Sequence, residues 1–315
     1  MCYNGFFQID TSPTLLGVYC ASNITTIDKE NGISRSNKQL GAYLAGLWEG
    51  DGHIVLPVYN NVGKLKNTPC FAITASVKQL PLFEIFQKTF GGWIRHKQKE
   101  NAIVWTITAR AELINIVFLL NGNVRSLKID QFNQLIDYLN NISSNQNVLK
   151  KNIPDCSELL NNYWLAGFID ADGGFKIRYT EKKINSLTGH NTKQRIAVSV
   201  KIEQRMFHKH TNAPFKDLMQ FIADFFEVKL TITTHENVKY WCVEVSSLKR
   251  MKKIIDYLTK YPLLSSKRND YCAFKNAYNL IITQQHLTVS GKKTIFDLKQ
   301  SMNRKRTQFD WSHLT

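Results

Sequence analysis

Residues 44–52 read LAGLWEGDG, and residues 165–173 read LAGFIDADG. The two stretches are nearly the same nine residues. Each opens with apolar helix formers and closes on a carboxylate set between small residues. Gly46 and Gly50 lie four apart, as do Gly167 and Ala171. Small residues at that spacing let two helix backbones approach closely. A mid-helix glycine costs about 1 kcal/mol against alanine, so matched glycines point to a shared purpose. The expectation is two motif helices packed on each other across a pseudo-twofold axis.

The flanks repeat as well. HIVLPVYN and CFAITASVK follow the first motif; GFKIRYT and QRIAVSVKIEQ follow the second. All four carry apolar residues at every second position, which reads as strand. A helical stretch, a Trp-bearing strand and two more helices then recur in each half. SLKIDQFNQLIDYL and SSKRNDYCAFKNAYNL supply the last helix. The predicted fold class is α+β, with two pseudo-symmetric αββαββα(α) halves, each built on a four-stranded antiparallel sheet. The halves span 37–141 and 162–286. A polar 142–161 linker joins them, 1–36 forms an N-terminal extension, and 287–315 a C-terminal tail.

Packing the motif helices together brings Asp51 and Asp172 close. Each is expected just past its helix, with Gly52 and Gly173 taking the left-handed conformation that ends a helix. A carboxylate is poorly placed there, because the helix C-terminus carries partial negative charge and the second carboxylate repels it. A cation should reconcile them. Hard divalent cations prefer carboxylate and carbonyl oxygens. Mg2+ is the default, Mn2+ can substitute, and the carbonyls of Gly50 and Ala171 are the natural further ligands. Glu49 and Asp170 share the motif but point elsewhere on the helix, so they read as structural.

LAGLWEGDG and LAGFIDADG resemble the two signature motifs of LAGLIDADG homing endonucleases of the single-chain, double-motif kind. The likeness covers nearly the whole chain. KYPLLSSKRNDY and SMNRKRTQFDW are similar to segments of members encoded in organellar introns, which implies a mitochondrial setting. The resemblance implies metal-dependent cleavage of a long double-stranded DNA target by a monomer, with the two sheets forming a saddle over the major groove. By motif position, Asp51 and Asp172 are the metal-binding acids. Lys128 and Lys267 match the family's lysine at the edge of the active site. Gln204 matches a polar position that holds water near the scissile phosphate, with Val77 as its counterpart in the first half.

Composition agrees with a polyanionic partner. The 315 residues include 41 Lys plus Arg against 25 Asp plus Glu, a net charge of +16, and such an excess favours nucleic acid. On the strands, Lys176, Arg178 and Thr180 alternate with apolar residues. So do Arg195, Ser199 and Lys201, while Trp93, Arg95, Lys97 and Lys99 share one face. These are the candidate DNA contacts, to base edges and phosphates. Trp105 and Trp241, at matching strand positions, read as core. His208 and His210 read as a basic loop.

Other classes are excluded or reduced. Cys2, Cys20, Cys70, Cys156, Cys242 and Cys272 form no CxxC pair, so they read as free thiols in a reducing compartment. No apolar run approaches the ~20 residues of a membrane span, and MCYNGFFQID reads as neither a secretory nor a transit signal. The sequons at 23 and 141 read as chance. Two rivals stand beside the endonuclease: a maturase on the same fold, binding intron RNA, and a DNA-binding protein that has lost cleavage. Intact acids at 51 and 172 argue against the second.

Overall fold

The computed structural model describes residues 35–142, 149–184, 191–209 and 211–314. Nearly all of the expected N-terminal extension, part of the linker, and His210 lie outside the described residues.

Each half runs as its hydrophobic pattern predicts. The first half comprises α1 (Arg35–Asp51), β1 (Gly52–Val55), β2 (Cys70–Ser76), α2 (Leu80–Phe90), β3 (Trp93–Lys97), β4 (Ala102–Ile107), α3 (Arg110–Leu120) and α4 (Ile129–Asn141). The second comprises α5 (Trp164–Asp172), β5 (Gly173–Thr180), a short ribbon of β6 (Lys183–Ile184) and β7 (Asn191–Thr192), then β8 (Arg195–Arg205) and α6 (Lys216–Phe225). It closes with β9 (Thr231–His235), β10 (Val238–Val245), α7 (Leu248–Lys260) and α8 (Lys267–Ile282). The sheets have the equivalent antiparallel orders β1-β2-β4-β3 and β5-β8-β10-β9. Period-two alternation sets their faces. Phe71, Ile73 and Ala75 turn inward from β2, as do Val198, Val200 and Ile202 from β8.

Trp105 anchors the first core. It is fully buried, with Phe71, Phe83, Phe86 and Phe90 at ring-centroid distances of 6.1, 6.3, 5.5 and 6.2 Å. Its indole N–H donates to the Gly91 carbonyl at 2.9 Å. That bond is available because Gly91 and Gly92 take positive φ, 81° and 77°, which turns α2 sharply into β3.

The tail is not loose. A further helix, α9 (Val289–Gln300), follows α8, and Ile295, Met302 and Leu314 join the core. Arg306 Nε meets Asp270 Oδ1 at 2.8 Å. Among the described residues no helix is long and apolar enough to cross a membrane.

Register revises two sequence pairings. Gly52 pairs with Ile73 and Gly173 with Ile202. Gln204 therefore corresponds to Ala75, not to Val77, which lies in the 3-10 turn Val77–Gln79. By the same register Trp105, opposite Ile73, corresponds to Val243, opposite Ile202. Trp105 and Trp241 are thus two positions out of step, although Trp105 is core and Trp241 packs against the core.

Candidate active site

The two motif helices touch backbone to backbone. A Cβ on Gly46 would stand 2.0 Å from the Trp164 carbonyl oxygen, and one on Gly167 2.0 Å from that of Tyr43. A Cβ on Gly50 would meet Ala171 Cβ at 2.2 Å and Asp172 Oδ2 at 2.9 Å. Asp172 therefore lies against the backbone next to Asp51. Both aspartates are the last residues of their helices, not the first beyond them. Gly52 and Gly173 do not take the left-handed conformation either; Gly173 has φ −87° and ψ 157°. Their small size has another cause. A Cβ would strike Trp48 Cδ1 at 2.0 Å in the first half and Ile169 Cγ2 at 2.7 Å in the second.

Glu49 and Asp170 are fully buried and each is claimed from two sides. Glu49 accepts from the backbone N–H groups of Arg125 and Ser126, just ahead of α4. Asp170 accepts from Leu264 and Ser265 N–H, at 2.9 and 3.1 Å, just ahead of α8. The Ser265 hydroxyl also donates to Asp170 from the same half, and one further donor to each acid crosses between halves. Trp164 Nε1 donates to Glu49 at 2.7 Å, and Tyr43 OH donates to Asp170 at 2.8 Å. Tyr43 and Trp164 each immediately precede the motif leucine, so the exchange is reciprocal. Burial pushes both carboxyls above their usual range, and these bonds pull the other way. Arg125 adds a second tie, its guanidinium 5.3 Å from the Trp164 ring centroid and 5.7 Å from that of Phe221.

Two serine-lysine segments then return to the motif. Lys128, buried, donates to the carbonyls of Trp48 at 3.1 Å and Gly52 at 2.9 Å. Lys267 donates to those of Ile169 at 3.2 Å and Ala171 at 2.6 Å. Ammonium groups at helix C-termini are favourable. The Ala171 carbonyl, expected as a metal ligand, is thus engaged by Lys267. Burial lowers the Lys128 ammonium to about 8, against the carboxylates Glu49, Asp172 and Asp51. Lys267 is lowered for the same reason.

Asp51 and Asp172 are left with little compensation. Burial pushes Asp51 up, opposed by the charges of Lys267 and Lys128. Burial, then repulsion from Asp51, pushes Asp172 up to about 8. Gln204 Nε2 donates to Asp172 Oδ2 at 2.7 Å, while its own Oε1 accepts from Arg205 N–H. A cavity of about 230 Å3 opens beside Asp51. Asp51, His53 and Lys128 line it from the first half; Gln204, Arg205, His208 and Lys209 line it from the second. The loop after β8, read from sequence as basic only, therefore roofs the first half's acid.

Among the described residues no group of three or more His, Cys, Asp or Glu forms a ready cage for a metal ion. Two crowded carboxylates nevertheless suit a hard cation that takes one or two carboxylates and completes its shell with phosphate and water.

The sheet residues are disposed as follows. Lys176, Arg178, Thr180 and Arg195 are exposed, and Ser199 and Lys201 half-buried, on the outward face of the second sheet. Lys201 is paired with Glu203 at 2.7 Å. In the first sheet Trp93 and Arg95 are exposed, and Lys97 pairs with Glu100 at 3.2 Å. Lys99 departs from the expected face: β3 ends at Lys97, and Lys99 sits in a 3-10 turn closed by Asn101 at φ 50°.

The family model described as LAGLIDADG endonuclease matches residues 44–139 and 165–278. The chain belongs to the LAGLIDADG endonuclease family. It is 29% identical over 318 residues to the intron-encoded DNA endonuclease aI3 of Saccharomyces cerevisiae, covering 91% of this chain and 75% of that one. An intron-encoded RNA maturase, bI4 of the same yeast, is 30% identical over 148 residues, 47% of this chain and 21% of that one. The solved structure of the I-LtrWI LAGLIDADG homing endonuclease bound to target DNA superposes with a TM-score of 0.61 at 20% identity, over 86% of this chain and 99% of that one. This LAGLIDADG chain shares with it the α+β architecture of two pseudo-symmetric halves.

Proposed function

We propose that this chain is a site-specific double-strand DNA endonuclease, active as a monomer, in which Asp51 and Asp172 hold Mg2+. The observation that carries the reading is the contrast between the two motif acids. Glu49 and Asp170 are satisfied by backbone and side-chain donors. Asp51 and Asp172 stand at adjoining helix ends, raised by burial; Asp51 lines a cavity, and Gln204, which holds Asp172, lines the same cavity. A divalent cation bound there would polarise the scissile phosphate and favour ionisation of an attacking water.

The chain's own groups do the rest. Gln204 fixes the Asp172 carboxylate. Lys128 and Lys267 hold the helix ends through carbonyls. An ammonium has three donors, so each retains one for a phosphate oxygen or a water. Arg205 and Lys209 border the cavity and can draw a phosphate towards Asp51. The outward sheet residues supply phosphate and base contacts on either side. The relatives' names support an intron reading frame as the source, and one relative is a cox1 intron protein; a mitochondrial setting follows as part of the proposal.

The test is a plasmid library with randomised inserts, incubated with the protein and Mg2+. A single enriched, cleaved sequence is expected, and Asp51→Asn should bind it without cutting it. Tight binding to the host intron RNA with no metal-dependent cut at any DNA sequence would move the chain to the maturase reading.

A further inference from the structure

The two sheets present unlike outward faces. In the second, Lys176 stands opposite Ser199, Thr180 opposite Arg195, and Arg205 opposite Tyr240. In the first, Val55 stands opposite Cys70, Arg95 opposite Val104, and Trp93 opposite Thr106. The first face mixes apolar residues with His53, Thr74, Ser76 and Thr106 and carries only two Lys or Arg side chains, Arg95 and Lys97, of which Lys97 is already paired.

Exposed apolar side chains run from Val55 along the hairpin between β1 and β2. Val55 is 36% exposed, Val58 52%, Tyr59 52% and Val62 84%. The hairpin is firmly built. Tyr59 bridges Leu65, Asn60 Oδ1 accepts from Val62 and Lys64 N–H, and Asn67 Oδ1 accepts from Val58 N–H. Exposed apolar side chains gathered on an ordered element mark a contact surface. Lys64 and Lys66 beside them are exposed, which suits a phosphate-bearing partner. In a major groove the apolar feature on offer is the C5-methyl of thymine.

Resting on the endonuclease reading, we propose that this hairpin and Trp93 read thymine methyl groups, so that the target half under the first sheet is recognised by thymines. Residues of the second sheet read the other half through charged hydrogen-bond donors. The target is then uneven in composition, and DNA is distinguished from RNA, whose uracil lacks the methyl.

The test begins with the duplex recovered from a randomised library. Arg178→Ala relaxes base preference on one side of the centre and so marks the half under the second sheet. Duplexes are then synthesised with deoxyuridine for thymine in one half at a time, which removes the methyl and keeps the pairing. Affinity is measured with Ca2+ in place of Mg2+. Uracil in the first-sheet half should weaken binding about fourfold per contacted methyl; uracil in the other half should leave it unchanged. Val62→Ser, at a solvent-facing position, should narrow the thymine-to-uracil ratio. Equal losses in both halves, or no loss in the first, overturn the inference while leaving the endonuclease reading intact. A library that yields no retained sequence removes that reading, and the inference with it.

Discussion

Replacing Asp172 with asparagine should make the metal-free protein more stable while abolishing its proposed activity. The Asp172 carboxyl is pushed up to about 8, first by burial and then by Asp51, whereas an exposed aspartate titrates near about 3.9. Between those values the folded chain holds a proton that the unfolded chain has released. Stability from this group is therefore largest at low pH and falls as pH rises towards 8. A tenfold change in proton affinity between the folded and unfolded chains corresponds to ~1.36 kcal/mol. Asp51 shares the titration, so removing one charge is worth about 2–3 kcal/mol at pH 8. Asparagine keeps an oxygen that can accept the Gln204 bond, so little packing is lost. Thermal unfolding in EDTA should show Asp172→Asn above the parent by roughly 4–8 °C at pH 8, with the gap closing near pH 5. Comparing the two proteins at each pH cancels His313, whose lowered value acts in the opposite sense. Added Mg2+ should raise the parent more than the variant, because ligand binding to the folded state stabilises it. A variant less stable than the parent at pH 8 in EDTA, or an advantage unchanged between pH 5 and 8, would show that the carboxylates are not under electrostatic strain.

Gly46→Ala puts a Cβ 2.0 Å from a backbone oxygen of the opposite helix, and should lower stability by about 3 kcal/mol in urea unfolding. Gly174→Ala, whose nearest atom is 4.0 Å away, should be near neutral in the same assay. Tyr43→Phe removes the bond to Asp170 and should cost about 2 kcal/mol, read as a lowered urea midpoint with unchanged slope. On the proposed function, Ca2+ in place of Mg2+ should preserve target binding and suppress cutting, since the larger ion positions water loosely; equal cutting in both ions counts against the metal reading.

Much of the architecture is legible because two independent periods agree. The four-residue spacing of Gly46, Gly50, Gly167 and Ala171 marks the helix contact, and alternation in GFKIRYT and RIAVSVK marks the sheet faces. The errors have physical sources. Period-two alternation hides a slip of two residues, since a strand shifted by two keeps the same side chains inward. Trp105 and Trp241 therefore look equivalent, and Val77 looks like the partner of Gln204. Pairing at Gly52 and Gly173 settles both. Lys99 continues the pattern of β3, but the chain leaves the strand at Lys97. Gly52 and Gly173 invite a conformational explanation, whereas contacts with Trp48 and Ile169 demand small residues there. The donors Tyr43 and Trp164 carry no local signal, since their acceptors lie 127 and 115 residues away.

The duplicated motif assigns two jobs to acids only two residues apart. At about 100° per residue, Glu49 and Asp51 leave α1 on nearly opposite sides. One side meets the loop ahead of α4 and the indole of the other half, and there the carboxylate is met by hydrogen bonds. The other side meets the cavity and the second aspartate, where burial and like charge work against ionisation. The satisfied acids bind the halves together, because each needs a donor from the opposite helix. That bond holds the crossing close, and the close crossing presses Asp172 against the backbone beside Asp51. Structural acids thus create the crowding that, on the proposed function, a cation between Asp51 and Asp172 would relieve. A separated half would keep its aspartate but lose both the crossing donor for its neighbouring acid and the second carboxylate that raises Asp172.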